Sequence, residues 1–197
     1  MKKSIIVALF GLASVAAYGQ GTIFFSNYYG GSQQPTGIIY GNGPAAGLGV
    51  GNEISVELLY GASTDTAISE LQVAAGSLGA VGYNGITTPE ALPPVGLYTG
   101  AGVFSIGNVT LGAYGTTYAL AIYAFGTLGG NSYTGYSSIF TGANQASSSV
   151  GAPNLPVGLQ EQTFTVNEVV PVPEPSSLAL AGLGGFGMLM AFRRKKA

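Results

Sequence analysis

The chain has 197 residues, a formal net charge of −2 at pH 7, and no cysteine, histidine or tryptophan. Without cysteine it forms no disulfide, and without histidine it lacks the usual general base and the commonest transition-metal ligand. Residues 4–192 carry all eight acids and no base, which excludes phosphate clamps and a basic surface. We therefore expect no cofactor and no nucleic-acid partner.

The first predicted element is a secretory signal peptide over residues 1–19. Lys2 and Lys3 form its positive start, residues 5–17 its apolar stretch, and Ala17-Tyr18-Gly19 a small-x-small cleavage pattern. We expect cleavage between Gly19 and Gln20. An uncleaved anchor is disfavoured, because about 13 apolar residues span only ~20 Å, less than the ~30 Å hydrocarbon core.

Residues 20–170 are predicted to form one extracytoplasmic β domain. Residues 54–60 alternate between apolar and polar, as in a half-buried strand. Residues 118–125 are apolar on both faces, with Tyr123 and Phe125 on one side, which is typical of a central strand. Further strands are predicted at residues 22–25, 38–40, 103–111, 136–141 and 164–166. About seven or eight strands at this spacing indicate an all-β fold, a single β-sandwich of Ig-like or jelly-roll type.

Glycine-rich pairs between these strands predict turns that need a positive φ angle. They are Asn42-Gly43, Asn84-Gly85, Gly107-Asn108 and Gly129-Gly130-Asn131. One stretch breaks the β pattern: Ile68, Leu71, Ala75 and Leu78 fall at helical spacing after Asp65, which predicts a short helix or a capping turn.

Two functions remain for the acidic residues, namely glycoside hydrolysis by a pair of carboxylates and calcium binding. Glu53 and Glu57 are four residues apart in a predicted strand, which places them on one face about 13 Å apart. That separation is too large for a glycoside-hydrolase pair, so we interpret both as solvated surface charges. No loop concentrates acids in an Asp-x-Asp-x-Asp-Gly pattern, and we predict no metal site. A calcium site built from distant residues stays open.

Tyrosine is the most prominent side-chain type, with twelve in the chain. Tyrosine fits half-buried pleated surfaces, which we favour as the explanation, but exposed tyrosines can also stack on sugars. A glycan-binding surface that uses Tyr28 or Tyr133 therefore stays open. The prominent tyrosines are Tyr28, Tyr29, Tyr114, Tyr118, Tyr123, Tyr133 and Tyr136.

The C-terminal segment, residues 171–197, has three parts in a fixed order. An extended motif, Val172, Pro173, Glu174 and Pro175, is followed by the uncharged residues 176–192 and then by Arg193, Arg194, Lys195 and Lys196. The 17-residue middle part predicts a transmembrane helix of about 25 Å. Basic residues beside a membrane segment are held in the cytoplasm. The basic clusters at both ends of the chain therefore predict that residues 20–170 are exported.

The order Val-Pro-Glu-Pro, apolar helix, basic tail resembles the PEP-CTERM sorting signal of exported proteins in Gram-negative bacteria that make extracellular polysaccharide. The resemblance covers residues 172–197. It implies an exosortase as processing partner, which recognises Pro173, Glu174 and Pro175 and removes the helix and the tail. It also implies a transient membrane anchor and then a cell-surface or extracellular location, where extracellular polysaccharide is a further possible partner.

We therefore expect a non-enzymatic structural or adhesive protein. The alternatives are a glycan-binding surface module and an uncleaved single-pass inner-membrane protein with a periplasmic domain. A hydrolase that uses the carboxylates is the remaining alternative.

Overall fold

The computed structural model describes residues 20–27, 37–82, 86, 88–92, 100–113, 115–143, 154–160 and 162–170. The predicted signal peptide, sorting motif, C-terminal helix and basic tail lie outside the described residues, as do Tyr28 and the predicted turn Asn84-Gly85. In the part of the chain that is described, no helix combines the length and apolarity that a membrane crossing requires.

The described residues are mostly extended, which confirms the all-β class. The strands are β1 Gln20–Ser26, β2 Ile38–Tyr40, β3 Ile54–Ala62, β4 Gln72–Val73, β5 Gly79–Ala80, β6 Ser105–Ala113, β7 Tyr118–Leu128, β8 Asn131–Tyr136, β9 Phe140–Ala143 and β10 Phe164–Glu168. A 3-10 turn spans Ile68–Glu70, and a four-residue helix, α1, spans Val157–Gln160.

The described strands form two sheets. The larger has the strand order β2-β10-β8-β7-β3-β4, with β5 also paired to β3 and β9 to β7, and the smaller consists of β1 and β6. All pairs are antiparallel except β10 with β2. Strand β7 pairs with β3 from Ala62↔Tyr118 to Ile54↔Gly126, and with β8 and β9 on its other edge. The prediction of a central strand at residues 118–125 is thus confirmed.

The alternation in β3 sorts its side chains between two faces of the large sheet. Ile54, Val56 and Leu58 are fully buried on what we call the inner face, whereas Ser55 and Glu57 lie on the outer face. Side chains of the small sheet join the same hydrophobic cluster as the inner face. Within that cluster the rings of Phe25 in β1 and Phe104 have centroids 4.7 Å apart. Burial of these apolar side chains is the main stabilising term of the fold.

The predicted turn at Gly107-Asn108 is wrong. Both residues lie inside β6, where Phe25 pairs with Gly107 but Ser26 pairs with Ser105, so one extra residue forms a β-bulge. Gly107 supplies the positive φ of 107° at this bulge. The other described turns are confirmed, with φ of 80° at Gly43 and of 61° and 88° at Gly129 and Gly130.

The helical spacing from Ile68 to Leu78 produces only the capping turn. The Glu70 carboxylate accepts hydrogen bonds from the backbone N–H groups of Thr66 and Ala67, at 3.0 and 2.9 Å, and closes a single 3-10 turn. The chain then pairs with β3 as β4, so a longer helix would leave that part of the β3 edge without backbone partners.

The strand predicted at residues 136–141 is split into two strands. Strand β8 ends at Tyr136, opposite Tyr123, and β9 begins at Phe140, opposite Leu120. Ser137 stays hydrogen-bonded to Ile122 of β7, and one extra residue before Phe140 shifts the register, which ends β8 and starts β9.

Candidate functional site

A row of three aromatic side chains lies on the outer face of the large sheet. Tyr123 of β7 is opposite Glu57 of β3 on one side and Tyr136 of β8 on the other. Phe125 is two residues further along β7 and therefore on the same face. We call Tyr123, Phe125 and Tyr136 the aromatic ladder.

The rings of the ladder are stacked on one another. The Tyr123 ring centroid lies 4.9 Å from that of Phe125 and 4.7 Å from that of Tyr136, with interplanar angles of 22° and 17°. Tyr136 is 47% exposed, and the other two rings are half-buried. Parallel offset rings hold each other in place, so the exposed ring of Tyr136 is a pre-organised apolar surface.

The polar ends of the ladder are also close together. The Tyr123 hydroxyl is hydrogen-bonded with Tyr136 and lies near the charge of Glu57. Burial first, and then these two neighbours, raise the pKa of Tyr123 above its ordinary value. The hydroxyl therefore stays neutral at physiological pH and is available for hydrogen bonding.

A cavity of about 410 Å³, with both polar and apolar side chains in its walls, opens beside the ladder. It is lined by Asp65, Thr66, Ile68, Ser137, Ser138, Ile139 and Thr141. Thr141 is opposite Ala119, which is opposite Gly61, so these residues continue the outer face along β7. A Cβ at Gly61 would collide with the Asp65 carboxylate, which places that carboxylate over the outer face as well.

Hydrogen bonds attach the walls of this cavity to the sheet. The Ser137 hydroxyl accepts from the N–H of Ile122 at 2.8 Å and donates to the Ser138 carbonyl at 2.9 Å. Gln162 accepts from the Ser138 N–H at 3.0 Å and donates to its hydroxyl at 2.8 Å. On the opposite wall, Asp65 Oδ2 accepts from the Ala62 N–H at 2.7 Å. Both walls thus belong to the rigid part of the domain.

Glu53 is not the solvated surface charge that the sequence predicts. Its Oε1 accepts from the Tyr40 hydroxyl at 2.6 Å and from the Gly51 N–H at 2.8 Å. Its Oε2 is buried and has no hydrogen-bond partner among the described residues. The expected shared face with Glu57 is also wrong: Glu53 precedes β3 and contacts a core tyrosine, whereas Glu57 lies on the outer face.

Comparison with known proteins addresses the C-terminal segment. A family model described as the PEP-CTERM protein-sorting motif matches residues 171–195. The chain carries a PEP-CTERM sorting signal. The resemblance in residues 172–197 is thereby confirmed, and the signal indicates export by way of an exosortase and a cell-surface or extracellular fate. No curated protein and no solved structure matches the chain significantly.

The residues of the PEP-CTERM signal that the sequence singles out lie outside the described residues. They are Gly19, Val172, Pro173, Glu174, Pro175, Arg193, Arg194, Lys195 and Lys196. Gln20, the predicted first residue after cleavage, is the first residue of β1. The two cleavage points stay predictions. Among the described residues, no group of three or more side chains of the acid, histidine or cysteine type could hold a metal ion.

The structure changes which tyrosines of this PEP-CTERM protein could contact a ligand. Tyr133 is 1% exposed and packs edge-on against Tyr40, so its suggested role in glycan contact is wrong. Tyr28 lies outside the described residues. The period-two pattern places Tyr123 and Phe125 on one face, but nothing in the local sequence shows that Tyr136 lies opposite Tyr123. That contact depends on the pairing of β7 with β8.

The pair of Tyr40 and Glu53 predicts sensitivity to alkaline pH. Burial first, and then the hydrogen bond and charge of Glu53, raise the pKa of the Tyr40 phenol far above its ordinary value of about 10. A raised pKa in the folded state means that this contribution to stability is complete below about pH 10 and is lost as the pH rises further. We expect the free energy of unfolding to fall above pH 10 less steeply in Tyr40→Phe than in the wild type.

Urea unfolding between pH 8 and pH 11.5 measures this slope. Tyr60→Phe is the matched control, because it removes one phenol and leaves the pair of Tyr40 and Glu53 intact. Parallel pH profiles for the wild type and Tyr40→Phe would show that the buried phenol does not control alkaline unfolding.

Proposed function

We propose that this PEP-CTERM protein is a non-enzymatic structural or adhesive component of the cell surface or extracellular matrix. The observation that carries the proposal is the sorting motif at residues 171–195. The composition of the body supports it: 33 glycines in the chain, and eight acids with no base between residues 4 and 192. An acidic surface keeps such a domain soluble and attracts divalent cations that bridge acidic polymers.

The proposed route begins with removal of residues 1–19 and transient anchoring through the helix at residues 176–192. Proline fixes φ and lacks a backbone donor, so the proposed route takes the Pro-Glu-Pro sequence at residues 173–175 as an extended recognition peptide. An extended peptide next to the bilayer is accessible to a membrane-embedded enzyme. The exosortase then removes the helix and the basic tail, which leaves residues 20–170 at the surface or outside the cell.

We further propose that the domain is a β-sandwich, with the small sheet covering the inner face of the large one. Support comes from the single hydrophobic cluster, to which β1 and β6 contribute Ile23, Phe25, Val109 and Leu111. The same cluster contains Val56 and Leu58 of β3 and Ile122 of β7. Two packed layers around one core are the usual solution for sheets with one apolar face.

Glycan binding is a second candidate function, and the aromatic ladder favours it. Tyr136 is 47% exposed on the outer face, and its ring rests on that of Tyr123. Tyrosine is enriched at binding interfaces, where its apolar ring and its polar hydroxyl both find partners. Such a surface would bind the protein to a polysaccharide matrix without any chemistry.

Intact-mass measurement tests the proposed route. In cells with an exosortase, we expect the exported protein to lack residues 176–197, whereas in cells without the enzyme it should keep them. Glu174→Gln should slow the processing, and Glu168→Gln, which changes an acid outside the motif, should leave it unchanged. A mass that includes residues 176–197 in both cells would instead identify an uncleaved single-pass inner-membrane protein.

A further inference from the structure

We propose that the exposed ring of Tyr136 and the adjoining cavity form a binding site for a neutral polysaccharide chain. The aromatic ladder provides one part of the site and the cavity lined by Asp65 and Ser137 provides the other. This inference rests on the proposed glycan-binding role and specifies the surface and the class of glycan.

The two parts of the site adjoin at the end of β8. Ser137 in the cavity wall follows Tyr136 directly, so the exposed ring of the ladder lies next to the cavity. Ala119 and Ala121, which separate the two parts along the outer side of β7, are fully buried and add no exposed surface. A ligand that rests on the Tyr136 ring can therefore reach the polar groups of the cavity.

The chemistry of the two parts suits a sugar ring, which has apolar C–H faces and a rim of hydroxyl groups. The exposed ring of Tyr136, held by its stacking on Tyr123, offers an apolar plane for one face of a sugar. Around it, the Glu57 carboxylate, the Asp65 carboxylate and the hydroxyls of the cavity are acceptors and donors for sugar hydroxyls. Hydrogen bonds to carboxylates are the stronger ones in such a site.

The charge of the surface restricts the glycan to a neutral one. Glu57 beside the ladder and Asp65 in the cavity are acidic, and residues 4–192 contain no base that could pair with an anionic ligand. A uronic acid or a phosphate placed on this face would meet like charges at short range, and the interaction would be repulsive. These charges do not repel a neutral chain, and the two carboxylates can accept hydrogen bonds from its hydroxyl groups.

The test uses the full-length chain purified in mild detergent and isothermal titration with linear neutral hexasaccharides of glucose, mannose and xylose. We expect at least one of them to bind, and a hexagalacturonate of the same length to bind more weakly. Tyr136→Ala and Asp65→Asn should each weaken binding about tenfold, equivalent to ~1.4 kcal/mol, because each removes one part of the site. Tyr136→Phe keeps the ring and should retain most of the affinity.

Leu48→Ala is the matched control, because Leu48 is a 37% exposed apolar residue in the connection after β2, and β2 is the strand at the opposite edge of the large sheet from β3 and β4. It should bind like the wild type, and circular dichroism should show that every variant is folded. Absence of binding to all three neutral oligosaccharides, or tighter binding of the hexagalacturonate, would overturn the proposal. Unchanged affinity in Tyr136→Ala would do the same. Self-association that Tyr136→Ala abolishes would assign the face to a second copy of the chain.

The two proposals fail independently. The binding assay uses unprocessed protein, so a negative titration leaves the result of the mass measurement in cells untouched. An uncleaved tail in cells would leave the affinity of the outer face for neutral oligosaccharides unchanged.

Discussion

Tyr133→Ala is expected to lower the free energy of unfolding by about 3–5 kcal/mol, the range for removing a large aromatic side chain from a core. Tyr133 is 1% exposed on the inner face of β8, with its ring centroid 4.9 Å from that of Tyr40. Removal of the ring leaves a cavity that the paired strands on either side of β8 prevent from collapsing.

Tyr136→Ala is the matched control for this prediction, because it makes the same chemical change three residues later in the same strand. Tyr136 is 47% exposed, so its loss removes only the stacking on Tyr123 and should cost less than about 1.5 kcal/mol. Urea unfolding followed by far-ultraviolet circular dichroism gives both values. Equal destabilisation by the two substitutions would contradict the assignment of the inner and outer faces.

Gly126→Ala is expected to destabilise the protein by about 1–3 kcal/mol, the cost of overpacking a rigid site. Gly126 lies in β7 opposite Ile54, and a Cβ there would collide with the backbone carbonyl oxygen of Glu53. That carbonyl accepts a hydrogen bond from the Thr127 N–H at 3.4 Å, so the backbone around it has little freedom to move. Only glycine leaves room for this close approach of β7 to the start of β3.

Gly112→Ala separates this effect from the general consequence of losing a glycine in a strand. A Cβ at Gly112 in β6 would meet the hydroxyl end of the Tyr118 side chain and no backbone atom. Alanine is otherwise favoured over glycine in a strand by roughly 0.5–1 kcal/mol, so the net change should be close to zero. Thermal unfolding of both variants provides the comparison, and a loss in Gly112→Ala as large as that in Gly126→Ala would contradict the explanation.

Much of the fold could be predicted from period-two patterns, because burial of one face imposes them on the local sequence. The alternation in residues 54–60 and the apolar run at 118–125 correctly predict β3 and the central position of β7. The helical spacing at Ile68 and Leu71 predicts a short helix or a capping turn, and only the turn forms, because the chain after it pairs with an edge of β3. Similarly, Gly107 indicates a positive φ but not whether a turn or a bulge uses it.

The candidate site on the outer face was only half predictable. The placement of Tyr123 and Phe125 on one side of a strand follows from the sequence, whereas the stacking of Tyr136 on Tyr123 requires the register of β7 with β8. The cavity is lined by Asp65 and Thr66 and also by Ser137 and Thr141, which lie more than seventy positions later in the sequence. No local pattern contains such a contact.

By itself, the sequence determined the all-β class and the sorting signal, because hydrophobic periodicity and the order of motif, apolar segment and basic tail are read along the chain. Only the tertiary structure decided that Glu53 accepts a hydrogen bond from Tyr40 and that Tyr133 belongs to the core. The physical reason is that burial and hydrogen bonding depend on which strands lie side by side, and strand pairing joins residues that are far apart in the chain.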